Sequence, residues 1–191
     1  RPWTRDEMAG LTGACRTAAE LGVSLRCLRQ RVMLRIMARD IAGVAPLEEV
    51  CEAMTLLAEF SIETAQSVLE EQFHAEFGRP IGESGKPQRL IVIGMGKLGG
   101  RELNVSSDID LIFAYPEDGE TQGGARQLSN HEFFSRLGRA LIKLLADTTE
   151  HGYVFRVDMR LRPWGEPGPL AMSFDALENY LVAQGREWER Y

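Results

Sequence analysis

Two aspartates, Asp108 and Asp110, stand two residues apart in the stretch SSDIDLIF (106–113). On a strand, the period of two sends both carboxylates to one face and turns Ile109 and Leu111 into the core. Two carboxylates held side by side repel unless a cation lies between them, and aspartate oxygens are the hard ligands that Mg2+ prefers. D-x-D alone also occurs in turns and helix caps, but here it follows a glycine-rich stretch, IVIGMGKLGGR (91–101). A third carboxylate lies in RVDMRLR (156–162), where Arg156, Asp158, Arg160 and Arg162 share one face and Val157, Met159 and Leu161 the other. Between arginines, Asp158 can be read as merely salt-bridged; beside Asp108 and Asp110 it completes a metal site. The arginines then suit phosphate oxygens by their planar fork of donors. Three acids, a Gly/Lys/Ser loop and flanking arginines describe metal-assisted phosphoryl or nucleotidyl transfer.

Gly94, Gly96 and Gly99 also have the G-x-G-x-x-G spacing of a dinucleotide site, and Glu117 or Asp118 falls where a ribose-binding acid is counted. The spacing argues against NAD. Only eight residues separate Gly99 from Asp108, whereas a βαβ crossover needs a dozen or more. A connection this short favours two neighbouring strands. A P-loop is excluded, because G-x-x-x-x-G-K-[ST] is absent.

The elements that must position these residues fall into two textures. In 24–41, Leu25, Leu28, Val32 and Ile36 recur at helical spacing, and Arg31, Arg35 and Arg39 occupy another face. That arginine row reads first as a solvated face pairing with acids of a neighbouring helix, and second as a contact for a partner or phosphate. A second helix starts near Pro46 and carries a stripe from Val50 through Met54, Leu57, Ser61, Ala65 and Val68 to Phe73; Gly78 and Pro80 stop it. From Pro87 onward, 90–94 and 109–115 read as strands, 131–149 as a helix with Asn130 as its N-cap, and 153–163 as a strictly alternating strand. Residues 121–130 read as a polar loop with Arg126 a weak substrate candidate, 165–170 as turn chemistry, and a last helix starts near Ser173 and carries Trp188, Arg190 and Tyr191. Trp164 reads equally as an adenine-stacking or a packing residue. The order predicts an α+β fold: a helical annex over 1–86 and a catalytic core over 87–191.

Composition narrows the class. The chain has 191 residues, 44% of them hydrophobic, and a net charge of −6, which argues against a dedicated nucleic-acid binder. No apolar run approaches the roughly 20 residues of a membrane span. Cys15, Cys27 and Cys51 lack C-x-x-C spacing and read as reduced thiols of a cytoplasmic protein. His74, His131 and His151 show no zinc-ligand spacing. The start without Met and the end inside a helix read as cuts from a longer chain.

GMGKLGGRELNVSSDIDLIF (94–113) with VDMRLRPWGEPGPL (157–170) resembles the bacterial glutamine synthetase adenylyltransferase/adenylyl-removing enzymes. These carry two nucleotidyltransferase cores of the polymerase-beta type, a short mixed sheet with helices. ELNVSSDIDL and VDMRLRPWGEPGPL are more similar to the amino-terminal, deadenylylating half than to the half that transfers AMP from ATP with release of pyrophosphate. The resemblance implies phosphorolysis: phosphate attacks an adenylyl-tyrosine of glutamine synthetase and ADP leaves. It implies Mg2+ on Asp108, Asp110 and Asp158, with Asp108 and Asp110 bridging and Asp158 on a second metal. Phosphate oxygens fall to the backbone of Gly96 to Gly99, to Lys97, to Ser106 or Ser107, and to Arg160 and Arg162, which could instead only position Asp158. Further implied are a PII-type signal protein and glutamine as regulators. A non-catalytic module that docks a partner or senses a nucleotide is the competing reading.

Overall fold

The computed structural model describes residues 1–185. In chain order the elements are α1 (Arg5–Thr12), α2 (Ala18–Ile41), α3 (Leu47–Phe77), β1 (Gly78–Gly82), β2 (Ile91–Met95), α4 (Gly96–Gly99), β3 (Ile109–Tyr115), β4 (Gly119–Gly123), α5 (Asn130–Ala146), β5 (Val157–Asp158), β6 (Ala171–Ser173) and α6 (Phe174–Ala183). The fold is α+β, as expected. In the main sheet β2, β3 and β5 are neighbours in that order and β6 also pairs with β3; β1 and β4 form a separate pair. Among the described residues no helix is long and apolar enough to cross a membrane. All three cysteines are free thiols.

The chain forms two compact units, each discontinuous in sequence. The first comprises 1–69, 94–110 and 141–158. Its core takes the stripes the spacing predicts: Leu25, Leu28, Val32 and Ile36 of α2, and Val50, Met54, Leu57, Ser61 and Ala65 of α3, are all buried. Helix α1 was not foreseen; its start is closed by a reciprocal capping box between Thr4 and Glu7. Two of the row's three arginines, Arg35 and Arg39, pair with acids of neighbouring helices. Arg35 lies 3.6 Å from Glu7 on α1, and Arg39 grips Glu49 on α3 at 2.7 and 3.0 Å. The arginine that does most in this unit is Arg26. It is buried and donates to Leu144, Asp147 and Gly152 carbonyls, where the end of α5 leaves orphan acceptors.

The second unit comprises 70–93, 111–140 and residues from 159 onward. Its core is aromatic: Tyr115 stacks on Phe134 at 4.8 Å, and Phe133 meets Phe134 edge-on at 5.3 Å. The pair β1–β4 was missed. Residues 78–82 read as a helix stop and 121–130 as a loop, yet Pro80 pairs with Thr121 and Gly78 with Gly123. Glycine, proline and polar residues are weak strand formers, and proline tolerates such a pairing only at an edge.

Two local expectations need correction. Asn130 is not the N-cap of α5: Ser129 Oγ accepts from Glu132 N at 3.1 Å and caps the helix. Buried Asn130 instead donates to the carbonyls of Ile81 and Glu117, tying the β-pair to the helix start. The alternating segment 153–163 is not one strand, for only Val157 and Asp158 join the ladder. Beyond them Arg162 folds the chain into a turn, donating through Nη1 to Met159 O (2.8 Å), Nη2 to Glu166 O (2.6 Å) and Nε to Gly168 O (3.4 Å). The predicted face of four therefore ends at Asp158. The last helix starts as expected, with Ser173 Oγ accepting from Ala176 N; Trp188, Arg190 and Tyr191 lie outside the described residues.

Candidate active site

The site builds from a parallel ladder of the first unit. Ile109 is the register partner of Val157, and Asp110 of Asp158. Register partners on paired strands present their side chains to the same face of the sheet, so Asp110 and Asp158 form a rung of like charge. Both are partly exposed, and Asp108 is more exposed than either. One step earlier the ladder brings Arg156 to Asp108: Arg156 Nε donates to Asp108 Oδ1 at 2.5 Å. An opposite-charge rung thus adjoins a like-charge rung on the same face. The arginine expected beside Asp158 is engaged with Asp108 instead.

Arg156 is fixed at every nitrogen. Its Nη2 donates to Ser106 O at 2.7 Å and its Nη1 to Tyr153 Oη at 3.2 Å. The hydrogen bond to Asp108, then the charges of Tyr153 and Asp108, hold its guanidinium above the ordinary arginine range. Tyr153 is backed by Arg29, whose guanidinium sits 5.0 Å from the Tyr153 ring and 4.9 Å from Phe155. Burial pulls Arg29 below its ordinary value. Arg29, Tyr153, Arg156 and Asp108 form one column, and two of these four, Arg29 and Tyr153, were not singled out from sequence.

The glycine loop has a specific geometry. Helix α4 is a single turn, Gly96–Gly99, so no Rossmann helix follows β2. Gly96 has φ +52, and a Cβ there would lie 2.7 Å from Asp110 Oδ2. The loop backbone is therefore flush against the carboxylate, and only glycine satisfies both conditions. Gly99 has a packing reason: a Cβ would meet Gly94 O at 2.6 Å. Lys97 is exposed. The turn before Asp108 is organised by Asn104, which sequence reasoning overlooked. Its Oδ1 accepts from Ser106 Oγ (3.1 Å), Ser107 Oγ (2.8 Å) and Ser106 N (3.1 Å). Both serine protons are thereby directed inward, and what the hydroxyls offer outward is lone pairs. An Asn two residues before Ser-Ser is the signal that pointed to this turn.

Asp108, Asp110, Asp158, Gly96, Lys97, Gly99, Ser106 and Ser107 all belong to the first unit, and Arg160 and Arg162 to the second. Arg160 is exposed, whereas Arg162 is spent on its own turn. Among the described residues no three His, Cys, Asp or Glu side chains already converge to hold a metal; Asp108 faces Arg156 rather than the Asp110–Asp158 rung. The donor chemistry itself suits a hard divalent cation: carboxylate oxygens from adjacent strands, with the backbone of a glycine loop flush against one of them.

The second unit has a cavity of about 410 Å³ lined by Tyr115, Asp118, His131, Trp164 and Met172, among others. Asp118 accepts there from Tyr115 Oη (2.8 Å) and Ser173 Oγ (3.1 Å). Trp164 donates to Gln184 Oε1 at 2.7 Å and meets Tyr180 edge-on at 4.7 Å, so its indole is held by packing. Arg126 is an exposed side chain 4.0 Å from Glu132.

Comparison with known proteins bears on this arrangement. The family model described as "Glutamate-ammonia ligase adenylyltransferase" matches residues 4–191. The chain is similar to the "Bifunctional glutamine synthetase adenylyltransferase/adenylyl-removing enzyme" of Aromatoleum aromaticum, at 54% identity over all of this chain and 22% of that protein. The proteins of the same name from Ralstonia nicotianae and Pseudomonas aeruginosa are 61% and 53% identical, over 88% and 98% of this chain and 18% and 19% of theirs. The chain thus spans about a fifth of the length of the curated relatives it matches. With a match across nearly its whole length, and with its aspartates on adjacent strands beside a glycine loop, the chain belongs to the glutamate-ammonia ligase adenylyltransferase family.

Proposed function

We propose that this chain carries the catalytic carboxylates of a nucleotidyltransferase core of the polymerase-beta type, and that its reaction is the removal of AMP from a tyrosine of glutamine synthetase by phosphorolysis. The observation that carries this reading is the rung of Asp110 and Asp158 with Asp108 beside it and Gly96 flush against Asp110. ELNVSSDIDL and VDMRLRPWGEPGPL favour the removing half over the adding half.

In this reaction a phosphate oxygen forms a bond to the α-phosphorus of adenylyl-tyrosine, and the bond from that phosphorus to the phenolic oxygen breaks. ADP is released, and the tyrosine oxygen takes up a proton. Phenolate is a tolerable leaving group, its conjugate acid having a pKa of about 10. The barrier lies in bringing an anion to an anionic diester. Mg2+ held by Asp108, Asp110 and Asp158 would supply the charge that offsets this repulsion. The remaining work belongs to the chain. The backbone of 96–99 and Lys97 present donors to phosphate oxygens, Asn104 holds the Ser106–Ser107 turn that sets Asp108, and the ladder fixes Asp110 against Asp158. A phosphate role for Arg160 and Arg162 rests on guanidinium chemistry and the resemblance, cytoplasmic location on the unpaired cysteines, and the division into annex and core on the order of elements. Regulation by a PII-type protein and glutamine rests on the resemblance alone.

The test uses the full-length parent with adenylylated glutamine synthetase, phosphate and Mg2+. ADP is expected, and Asp158→Asn or Asp110→Asn should reduce its formation by at least about a thousandfold, the scale of losing a principal source of charge stabilisation. ADP production unchanged in either variant would overturn the assignment. ATP consumption and pyrophosphate release, lost in the same variants, would instead assign the chain to the adding half.

A further inference from the structure

Arg156 lies on the same face as the proposed metal-binding carboxylates and holds one of them. Its guanidinium is built into place: Asp108 Oδ1 on Nε, Ser106 O on Nη2, Tyr153 Oη on Nη1, and Arg29 behind the tyrosine ring. Such bracing is more than an incidental surface pair shows. The side chains of Arg156 and Asp108 are nonetheless 54% and 46% exposed. The pair is therefore ordered but not strong, since water screens an exposed ion pair. A divalent cation at the rung of Asp110 and Asp158 would compete with the guanidinium for the Asp108 carboxylate and repel it through charge.

We propose that Arg156 is the resident counter-ion of Asp108, a positioning residue that keeps the carboxylate on its face of the ladder and yields it when a divalent cation binds. The inference rests on the metal reading above. Arg156 thus lowers the affinity for the cation while neutralising Asp108 next to the Asp110–Asp158 rung.

The experiment measures metal binding rather than turnover. Mn2+, which takes the same hard oxygen ligands, is titrated into the full-length parent and its free concentration followed by electron paramagnetic resonance. Arg156→Gln removes the competing charge and should bind Mn2+ about two- to fivefold more tightly, the factor that an exposed ion pair corresponds to. Arg156→Lys keeps the charge without the three-way fork and should fall between the two. Tyr153→Phe deletes one brace and keeps the ring, so it should tighten binding by less than Arg156→Gln. If Arg156→Gln does not fold, the lysine and phenylalanine variants carry the same test. Asp158→Asn separates this inference from the reading it rests on. Mn2+ binding unaffected by Asp158→Asn removes the metal site itself. Binding lost in Asp158→Asn but unchanged or weakened in the Arg156 and Tyr153 variants overturns the counter-ion role alone.

Discussion

The glycine loop at 94–101 and the turn at 159–168 look alike in composition and do opposite things. Each is rich in glycine and carries arginine, and each holds one non-glycine residue in the left-handed region, Arg101 and Trp164, both at φ 58. The loop turns a glycine toward a carboxylate: Gly96 leaves no space for a Cβ beside Asp110. The turn closes on itself, with Arg162 donating to three of its carbonyls and Gly168 so near Pro163 O that a Cβ would lie 2.1 Å away. Glycine and arginine content therefore does not identify a phosphate site. What distinguishes the two is whether the donors and the space are consumed within the segment.

The sharpest way to break this comparison is Gly96→Ala in the full-length parent. A Cβ at φ +52 displaces the Asp110 carboxylate, and a misplacement near 1 Å costs about a hundredfold in rate. Stability should fall by only about 1–2 kcal/mol, the cost of a left-handed alanine. Phosphorolysis assays beside thermal melts check this, and a rate that falls no further than stability makes the loop merely structural.

Next in size, Arg162→Ala should cost about 2 kcal/mol in denaturant unfolding by leaving turn carbonyls without donors. Normalised to folded protein, its turnover should fall far less than that of Gly96→Ala. A large drop in turnover with stability intact would return Arg162 to the phosphate-binding set.

Arg101→Gly is expected to change stability by less than about 1 kcal/mol. Relief of the left-handed residue offsets the loss of two exposed pairs, to Glu59 at 2.7 Å and Glu52 at 2.8 Å. Trp164→Gly gains the same relief but loses the Tyr180 contact and the Gln184 bond, so it should be the more destabilising of the two by chemical denaturation. The reverse order would mean that the loop, not the turn, depends on its left-handed residue.

The smallest effect is one of pH in the second unit. Burial, then the Asp118 carboxylate, raises the Tyr115 phenol above its ordinary value. A group raised in the folded state contributes stability that is whole below its unfolded pKa of about 10 and is lost as pH climbs beyond it. Melting temperature should therefore drop above about pH 10, and Tyr115→Phe should flatten the drop. A slope unchanged in that variant would assign the effect elsewhere.

Much of the helical framework was legible because burial imposes a period. The stripe of α2 and that of α3 from Val50 to Ala65 lie in the core, while Val68 and Phe73 at the far end of the α3 stripe are half-buried. The strand at 109–115 was readable for the same reason. The pair β1–β4 was not: its residues are glycine, proline and polar, and pairing, not propensity, makes them strands. The segment 153–163 misled for a related reason, since alternation describes faces only while a ladder partner continues, and beyond Asp158 the Arg162 turn replaces it.

The sequence by itself determined that Asp108 and Asp110 share a face, that the connection after Gly99 is too short for a dinucleotide fold, and which family motifs the chain carries. These are properties of spacing along one strand or one loop. Only the tertiary structure decided that Asp158 opposes Asp110 while Arg156 takes Asp108, because register between strands distant in sequence is set by packing on both sides of the sheet. A slip of one residue would have put Val157 opposite Asp110 and turned the third carboxylate to the other face. It likewise decided that Gly96 serves Asp110 while Gly99 serves Gly94, a difference of surroundings that no glycine displays in its own identity.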